Sequence, residues 1–210
     1  MLALFFEVRP KPDRIDEYLD TAAKLKPALE ASGGCLFIER FQSLERDGVL
    51  LSFQIWRDEA AMTAWRIHET HHQVQTLGRT QIFLDYRLRV AQVLREEEPG
   101  KPAWQAQRMN VYNDPAHKTP RYLMAVQSTS GDFAASEAGR IESFQSLYRE
   151  GQFLHVAEVP SLLAGLEVSE NCRIGAPAYR YRVCEVERDY GMFERAEAAQ
   201  YYPAMRREAK

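Results

Sequence analysis

The chain has 210 residues, 45% of them apolar and 11% aromatic, and a formal net charge of −3. That is ample material for a buried core and not the composition of a disordered chain. With no broad positive field, nucleic acid is not expected as a partner; no apolar run approaches the ~20 residues that span a bilayer, so a membrane is not expected either.

The opening MLALFFEVRPKPD lacks the basic start and apolar stretch of a signal peptide and reads as a first strand. Over residues 2–8, Leu4, Phe6 and Val8 fall on one face, with Ala3, Phe5 and Glu7 on the other. Pro10 and Pro12 break the strand, and Asp13 suits a helix N-cap. From 15 to about 31, Ile15, Tyr18, Leu19, Ala22, Leu25 and Leu29 recur at helical spacing. Pro27 inside this run predicts a kink or a restarted turn, and Gly33-Gly34 ends it. Residues 35–44 and 49–56 are strands joined across Asp47-Gly48, which predicts a hairpin. Arg57-Asp58-Glu59 opens a second helix reaching about Gln75, with Gly78 interrupting it. Residues 82–93 give a fourth strand, with Tyr86, Leu88 and Val90 opposed to Arg87, Arg89 and Ala91. The order β-α-β-β-α-β predicts a four-stranded antiparallel sheet with both helices on one face. The other face, carrying Phe5 and Glu7, would need a partner. Residues 96–120 lose periodicity and gather charge, Pro and Gly, so they read as a linker with one short strand near 105–111. Cys35, Cys172 and Cys184 are odd in number and form no CxxC. They argue against a disulfide framework or a structural zinc site, read as small apolar fillers, and suit a reducing cytoplasm.

The second half echoes the first. Residues 38–44 (IERFQSL) match 141–147 (IESFQSL) at six of seven positions, and Gly48 and Gly151 keep the same spacing. YRLRV at 86–90 matches YRYRV at 179–183. The offset is 103 at the hairpin and 93 at the last strand, so the second copy is shorter where its second helix would lie. Its first helix is also shortened or lost, because Leu123 is nearer to Ile141 than Leu4 is to Ile38. Residues 134–148 have some helix propensity, but the repeat favours strand over 141–147. The expected organisation is a module at 1–96, a linker at 97–120, a second, helix-shortened module at 121–193 and a tail at 194–210. Tyr201-Tyr202-Pro203 and the basic end read as frayed or partner-bound. His155 reads as strand packing.

The first ~95 residues resemble the antibiotic biosynthesis monooxygenase family. The resemblance is carried by Leu4-Phe5-Phe6-Glu7-Val8, the hairpin at 38–56, Ser52 through Ala60, Trp65, the run from His71 to Gln75, Gly78 and Arg79, and the strand Tyr86-Arg87-Leu88-Arg89-Val90. The resemblance implies an α+β fold of two ferredoxin-like (β-α-β-β-α-β) modules with antiparallel sheets packed face to face as an α+β barrel, the second module degenerate. It also implies a small aromatic or quinone-type substrate and dioxygen as partners. No cofactor is expected; haem is the alternative, since some members bind and degrade it. A homodimer of tandem chains is a further option, and so is a ligand-binding module that keeps the fold alone. The haem-degrading pattern has Asn on the first strand, where this chain has Glu7, and a His farther beyond the Trp than His68, His71 or His72.

Trp65, His68 and His72 stand at i, i+3 and i+7, which places them on one helix face. Trp65 could stack on a flat ligand while a histidine moves a proton, or it could anchor the core with the histidines solvated. His71 fits the family's helix pattern better than His72, and the two stay open as alternatives. His68 and His72 have metal-ligand spacing, but only Glu69 is a nearby third ligand, so no metal is expected. Glu7, if buried, could act as a base; if paired with Arg87 or Arg89 it is structural. The expected catalytic set is therefore Glu7, Trp65 and His72, with Phe5, His68, His71 and Tyr86 contacting substrate.

Overall fold

The structure is a computed structural model of the chain. It describes residues 1–106, 121–133, 139–175, 178–199 and 202–206. Among the described residues, nine strands and four α-helices follow in the order β1 (Leu2–Pro10), α1 (Ile15–Ala31), β2 (Cys35–Ser43), β3 (Leu50–Trp56), α2 (Glu59–Arg66), α3 (Glu69–Leu77), β4 (Phe83–Glu97), β5 (Trp104–Gln105), β6 (Arg121–Ser128), β7 (Ile141–Ser146), β8 (Phe153–Val159), α4 (Leu162–Gly175) and β9 (Ala178–Gly191). A π-type turn at Gly78–Ile82 leads into β4. The first six major elements follow the predicted β-α-β-β-α-β order, with one departure. α1 runs through Pro27 to Ala31, the end that the sequence predicts, with no restart at the proline. The second helix is broken: Ile67 closes α2, and His68 adopts extended backbone (φ −60°, ψ 129°) before α3 begins. Neither Gly nor Pro marks that break in the sequence.

The predicted strand at 141–147 is present as β7. In the second half, the helix between β8 and β9 is retained as α4. No helix lies between β6 and β7 among the described residues, and 134–138 fall outside them. The short strand expected near 105–111 is β5 at its start, with 107–120 outside the described residues.

Hydrogen-bonded neighbours run β1-β3-β2-β7-β8-β6-β9-β4-β5, and β1 also pairs with β4. The fold is α+β with an antiparallel sheet. Phe41, Gln42 and Ser43 at the end of β2 pair with Ser146, Gln145 and Phe144 of β7, which satisfies a row of donors and acceptors that an open edge would leave bare. Arg46 then grips Glu142 with two hydrogen bonds, Nε to Oε1 at 2.7 Å and Nη2 to Oε2 at 2.6 Å.

By internal contacts the chain forms two compact units. One contains residues 1–39, 48–90 and 188–210; the other contains 40–47 and 91–187. In the first, Leu2, Leu29, Trp56, Met62, Trp65 and Val90 make a core between α1, α2 and one face of the strands. In the second, Met124, Val126, Ala157, Val159, Val168 and Tyr181 do the same beneath α4.

The two hairpins share fine detail. Ser43 Oγ accepts from the N–H of Glu45 and Arg46, and Ser146 Oγ accepts from the N–H of Tyr148 and Arg149. Gly48 (φ 70°) and Gly151 (φ 67°) both take the left-handed conformation that the turn requires. The registers match as well. Glu7 lies opposite Leu51 and receives Arg89 at 2.6 Å; Gln127 lies opposite Leu154 and receives Arg182 at 2.7 Å.

Candidate functional site

The two faces of the first unit's strands carry different chemistry. Glu7 and Phe5 lie on the face turned away from the helices, as the alternation predicts. Phe5 meets Phe53 with centroids 5.0 Å apart, and Phe37 meets Phe53 at 6.0 Å. Glu7 Oε1 accepts from Arg89 Nη2 at 2.6 Å, with both side chains only 7% exposed, and the Arg89 guanidinium sits 5.6 Å from the Phe5 ring. This is an ion pair inside an aromatic cluster.

The helix-facing side holds Trp65, His71, His72 and Tyr86. Trp65 is buried in the core beneath α2. Because the helix breaks at His68, the i, i+3, i+7 spacing does not place Trp65 and His72 on one face. Instead His71 lies flat on Trp65, with centroids 4.6 Å apart and planes 17° off parallel. His68 is exposed and meets the same indole at 5.4 Å, tilted. His71 Nδ1 is 3.0 Å from the Trp65 carbonyl, which can only accept, so Nδ1 carries the proton and Nε2 keeps its lone pair. A Gln75 amide nitrogen also lies 3.5 Å from Nδ1, but two donors cannot share that contact, so the carbonyl bond sets the tautomer. Burial pushes the His71 pKa down to about 4, with the neighbouring His68 and His72 adding to the effect. The ring is neutral at pH 7.

His72 is exposed and belongs to a different arrangement. Its Nδ1 lies 2.8 Å from the Tyr202 hydroxyl, and the two rings stack at 5.5 Å. Tyr202 also receives the Arg79 guanidinium over its ring at 4.7 Å. Arg79 Nη1 donates to the Tyr86 hydroxyl at 2.7 Å, and Arg195 Nη1 donates to the same oxygen at 2.8 Å. Phe6, Phe83 and Tyr18 pack edge-on around this group, with Phe6 5.7 Å from Tyr86 and Tyr18 5.4 Å from Phe83. The structure thus joins Tyr86 to His72 through Arg79 and Tyr202, joins Trp65 to His71 and His68, and sets Glu7 and Phe5 apart on the other strand face.

The sequence reading placed neither Arg79 nor Arg195 in the site, although Arg79 belongs to the run that carries the family resemblance. Arg79 sits in the π-type turn, and Arg195 lies beyond the last strand in what read as a tail. The tail is not frayed over its described residues. Met205 N–H donates to the Met192 carbonyl at 3.1 Å, and Arg195 Nε donates to the Tyr202 carbonyl at 2.7 Å. The aromatic cluster Tyr201-Tyr202-Pro203 was the available signal.

In the second unit His155 is fully buried. Its Nε2 lies 3.0 Å from the Ser130 carbonyl and its Nδ1 2.9 Å from Ser143 Oγ, while Phe133 stacks on it at 4.9 Å. Burial lowers its pKa. Cys35 and Cys184 are free thiols, their pKa values pushed up by burial to about 11 and about 12, which keeps both protonated. Among the described residues no group of three or more His, Cys, Asp or Glu is placed to hold a metal. Among the described residues no helix is long and apolar enough to cross a membrane.

The sequence model of the antibiotic biosynthesis monooxygenase family matches residues 1–77. A jasmonate monooxygenase of Pyricularia oryzae (strain 70-15) is 31% identical over 221 aligned residues, covering 97% of this chain and 99% of the relative. Among solved structures, an aldoxime dehydratase in complex with butyraldoxime superposes with a TM-score of 0.52 at 11% identity, covering 88% of this chain and 78% of the other, which is a likeness of fold. A crystal structure of an antibiotic biosynthesis monooxygenase aligns at 21% identity and a TM-score of 0.39, covering 43% of this chain and 95% of the other. This chain belongs to the antibiotic biosynthesis monooxygenase family and is an oxidoreductase of the monooxygenase type.

Proposed function

We propose that the chain oxygenates a small cyclic substrate, a phenol or a comparable carbon acid, without a cofactor, on the helix-facing side of the first unit. The observation that carries this reading is Tyr86. Two guanidiniums donate to its oxygen, so the capacity it has left is its own O–H, held in fixed position among aromatic rings. A fixed donor of this kind stabilises an oxyanion as charge develops on a ring oxygen. His71 Nε2 is an acceptor for a substrate hydroxyl, oriented through the Nδ1 bond to Trp65. With a pKa near 4 it is a weak base at pH 7, so its work is orientation, and the ionised substrate is favoured by the donors around it. The indole and phenyl walls exclude water.

The electrons balance within the substrate. A phenolate carbon passes one electron to dioxygen, and the radical pair joins as a hydroperoxide. Loss of water then leaves a quinone carbonyl: one oxygen atom enters the product and the other leaves as water. No external reductant takes part. The relative named as a jasmonate monooxygenase supports a small cyclic substrate. For haem, the residues fit poorly: His72 is engaged by Tyr202, and Glu7, ion-paired with Arg89, stands where the haem-degrading pattern has Asn.

The finer architecture we read as a duplicated module. The shared serine-capped turns, the left-handed Gly48 and Gly151, and the equivalent Glu7–Arg89 and Gln127–Arg182 pairs support it. The test of function is oxygen uptake by metal-free protein across a panel of phenols and hydroquinones, together with a haem titration. Uptake with one labelled oxygen atom in the product supports the reading. A Soret shift at micromolar haem, or no uptake by any panel member, refutes it.

A further inference from the structure

Arg79 is buried and Arg195 half-buried, yet both hold only neutral oxygens. Arg79 Nη1 donates to the Tyr86 hydroxyl and Nη2 to the Pro203 carbonyl at 2.7 Å. Arg195 Nε donates to the Tyr202 carbonyl at 2.7 Å, and Nη1 to the Tyr86 hydroxyl and, at 3.1 Å, to the Gly191 carbonyl. Neither has a carboxylate partner among the described residues. Several other arginines of this unit do meet a carboxylate: Arg89 pairs with Glu7, Arg87 with Asp189 and Arg188 with Glu59. Two guanidiniums meeting at one oxygen repel each other and have given up water without gaining an anion. The missing component is a negative group of planar, two-oxygen shape, which the guanidinium fork matches.

We propose that Arg79 and Arg195 form a binding site for a carboxylate on the substrate, and that the carbonyls of Tyr202 and Pro203 hold the two guanidiniums until it arrives. This rests on the reading of the helix-facing side as the reaction site and narrows the substrate to an acid: an apolar ring or chain ending in a carboxylate. Phe6, Phe83 and Tyr18 supply the apolar wall beside the charge. A charged oxygen replaces a neutral carbonyl at each guanidinium, and a charge-assisted hydrogen bond is roughly twice as strong as a neutral one. The exchange frees the segment that carries Tyr202 and Pro203.

The test is calorimetry on the full chain at low ionic strength, with naphthalene-1-acetate, its neutral amide and inorganic phosphate as probes. The acid is expected to bind at least tenfold more tightly than the amide and than phosphate. Arg195→Met should erase that preference and Arg195→Lys restore part of it. On the parent protein, the acid should also speed hydrogen exchange at the Met205 amide, now bonded to the Met192 carbonyl. Equal binding of acid and amide overturns the proposal, as does phosphate matching the acid, binding by none of the three, or an acid preference that survives Arg195→Met. If Arg195→Met does not fold, unchanged Met205 exchange in the parent overturns it. Acid preference without oxygen uptake on any acid would sink the reaction and leave the site; uptake on neutral phenols without acid preference would sink the site alone.

Discussion

The Glu7–Arg89 pair gives the sharpest energetic prediction. Both side chains are 7% exposed and joined at 2.6 Å, beside the Phe5 ring. Removing one partner of a buried pair leaves the other charge without compensation, a loss of roughly 3–5 kcal/mol. Glu7→Ala should therefore cost about 4 kcal/mol, which for a chain of this size lowers Tm by roughly 8–16 °C. Glu7→Gln keeps an oxygen acceptor and copies the second unit, where Gln127 Oε1 receives Arg182 at 2.7 Å. There, however, Arg182 also reaches Glu96 at 2.5 Å, so an amide alone does not neutralise it. Glu7→Gln should therefore cost about half as much as Glu7→Ala. Adding Arg89→Met to Glu7→Gln removes the stranded charge and should recover about 1–2 kcal/mol. Urea denaturation at pH 7, fitted as a double-mutant cycle, measures each term. Single losses below about 1 kcal/mol that simply add would refute the buried pair.

Two further outcomes follow from other parts of the fold. His71 is neutral when folded, its pKa lowered from 6.5 to about 4, so between those values the unfolded chain binds the extra proton. Its contribution is complete above pH 6.5 and is lost as pH falls towards 4. It is on the order of 2 kcal/mol after discounting for partial exposure, and His155 adds in the same direction. Proton NMR should show the His71 ring titrating below pH 5; a midpoint near 6.5 would contradict its burial. Gly48→Ala and Gly151→Ala each force a side chain into left-handed backbone, so each should cost about 1 kcal/mol in thermal unfolding; no loss at either would deny the shared turn.

The strands were legible because period-two alternation is local and because the sequence of 38–44 recurs at 141–147. That is why 141–147 could be read as strand against its helix propensity, and why Glu7 could be placed beside Phe5 and opposite Leu4. The helix break at Ile67–His68 left no Gly or Pro to mark it, so the Trp65–His72 face was drawn through a helix that stops. His71, left open beside His72, is the one of that pair that stacks on Trp65. Arg195 and Tyr202 were out of reach for a different reason: nothing periodic links residue 195 to residue 79, and only the folded chain brings both to the Tyr86 oxygen. Joining β2 to β7 was likewise a matter of open strand edges, which a single-sequence pattern does not pair.

Product analysis under labelled dioxygen tests the central claim most directly. Metal-free protein, an accepted phenolic substrate and 18O2 should give a quinone carrying one labelled atom, with a Tyr86→Phe variant losing at least tenfold in kcat while still folding and binding. Label arriving from water, or full turnover by Tyr86→Phe, would contradict the account.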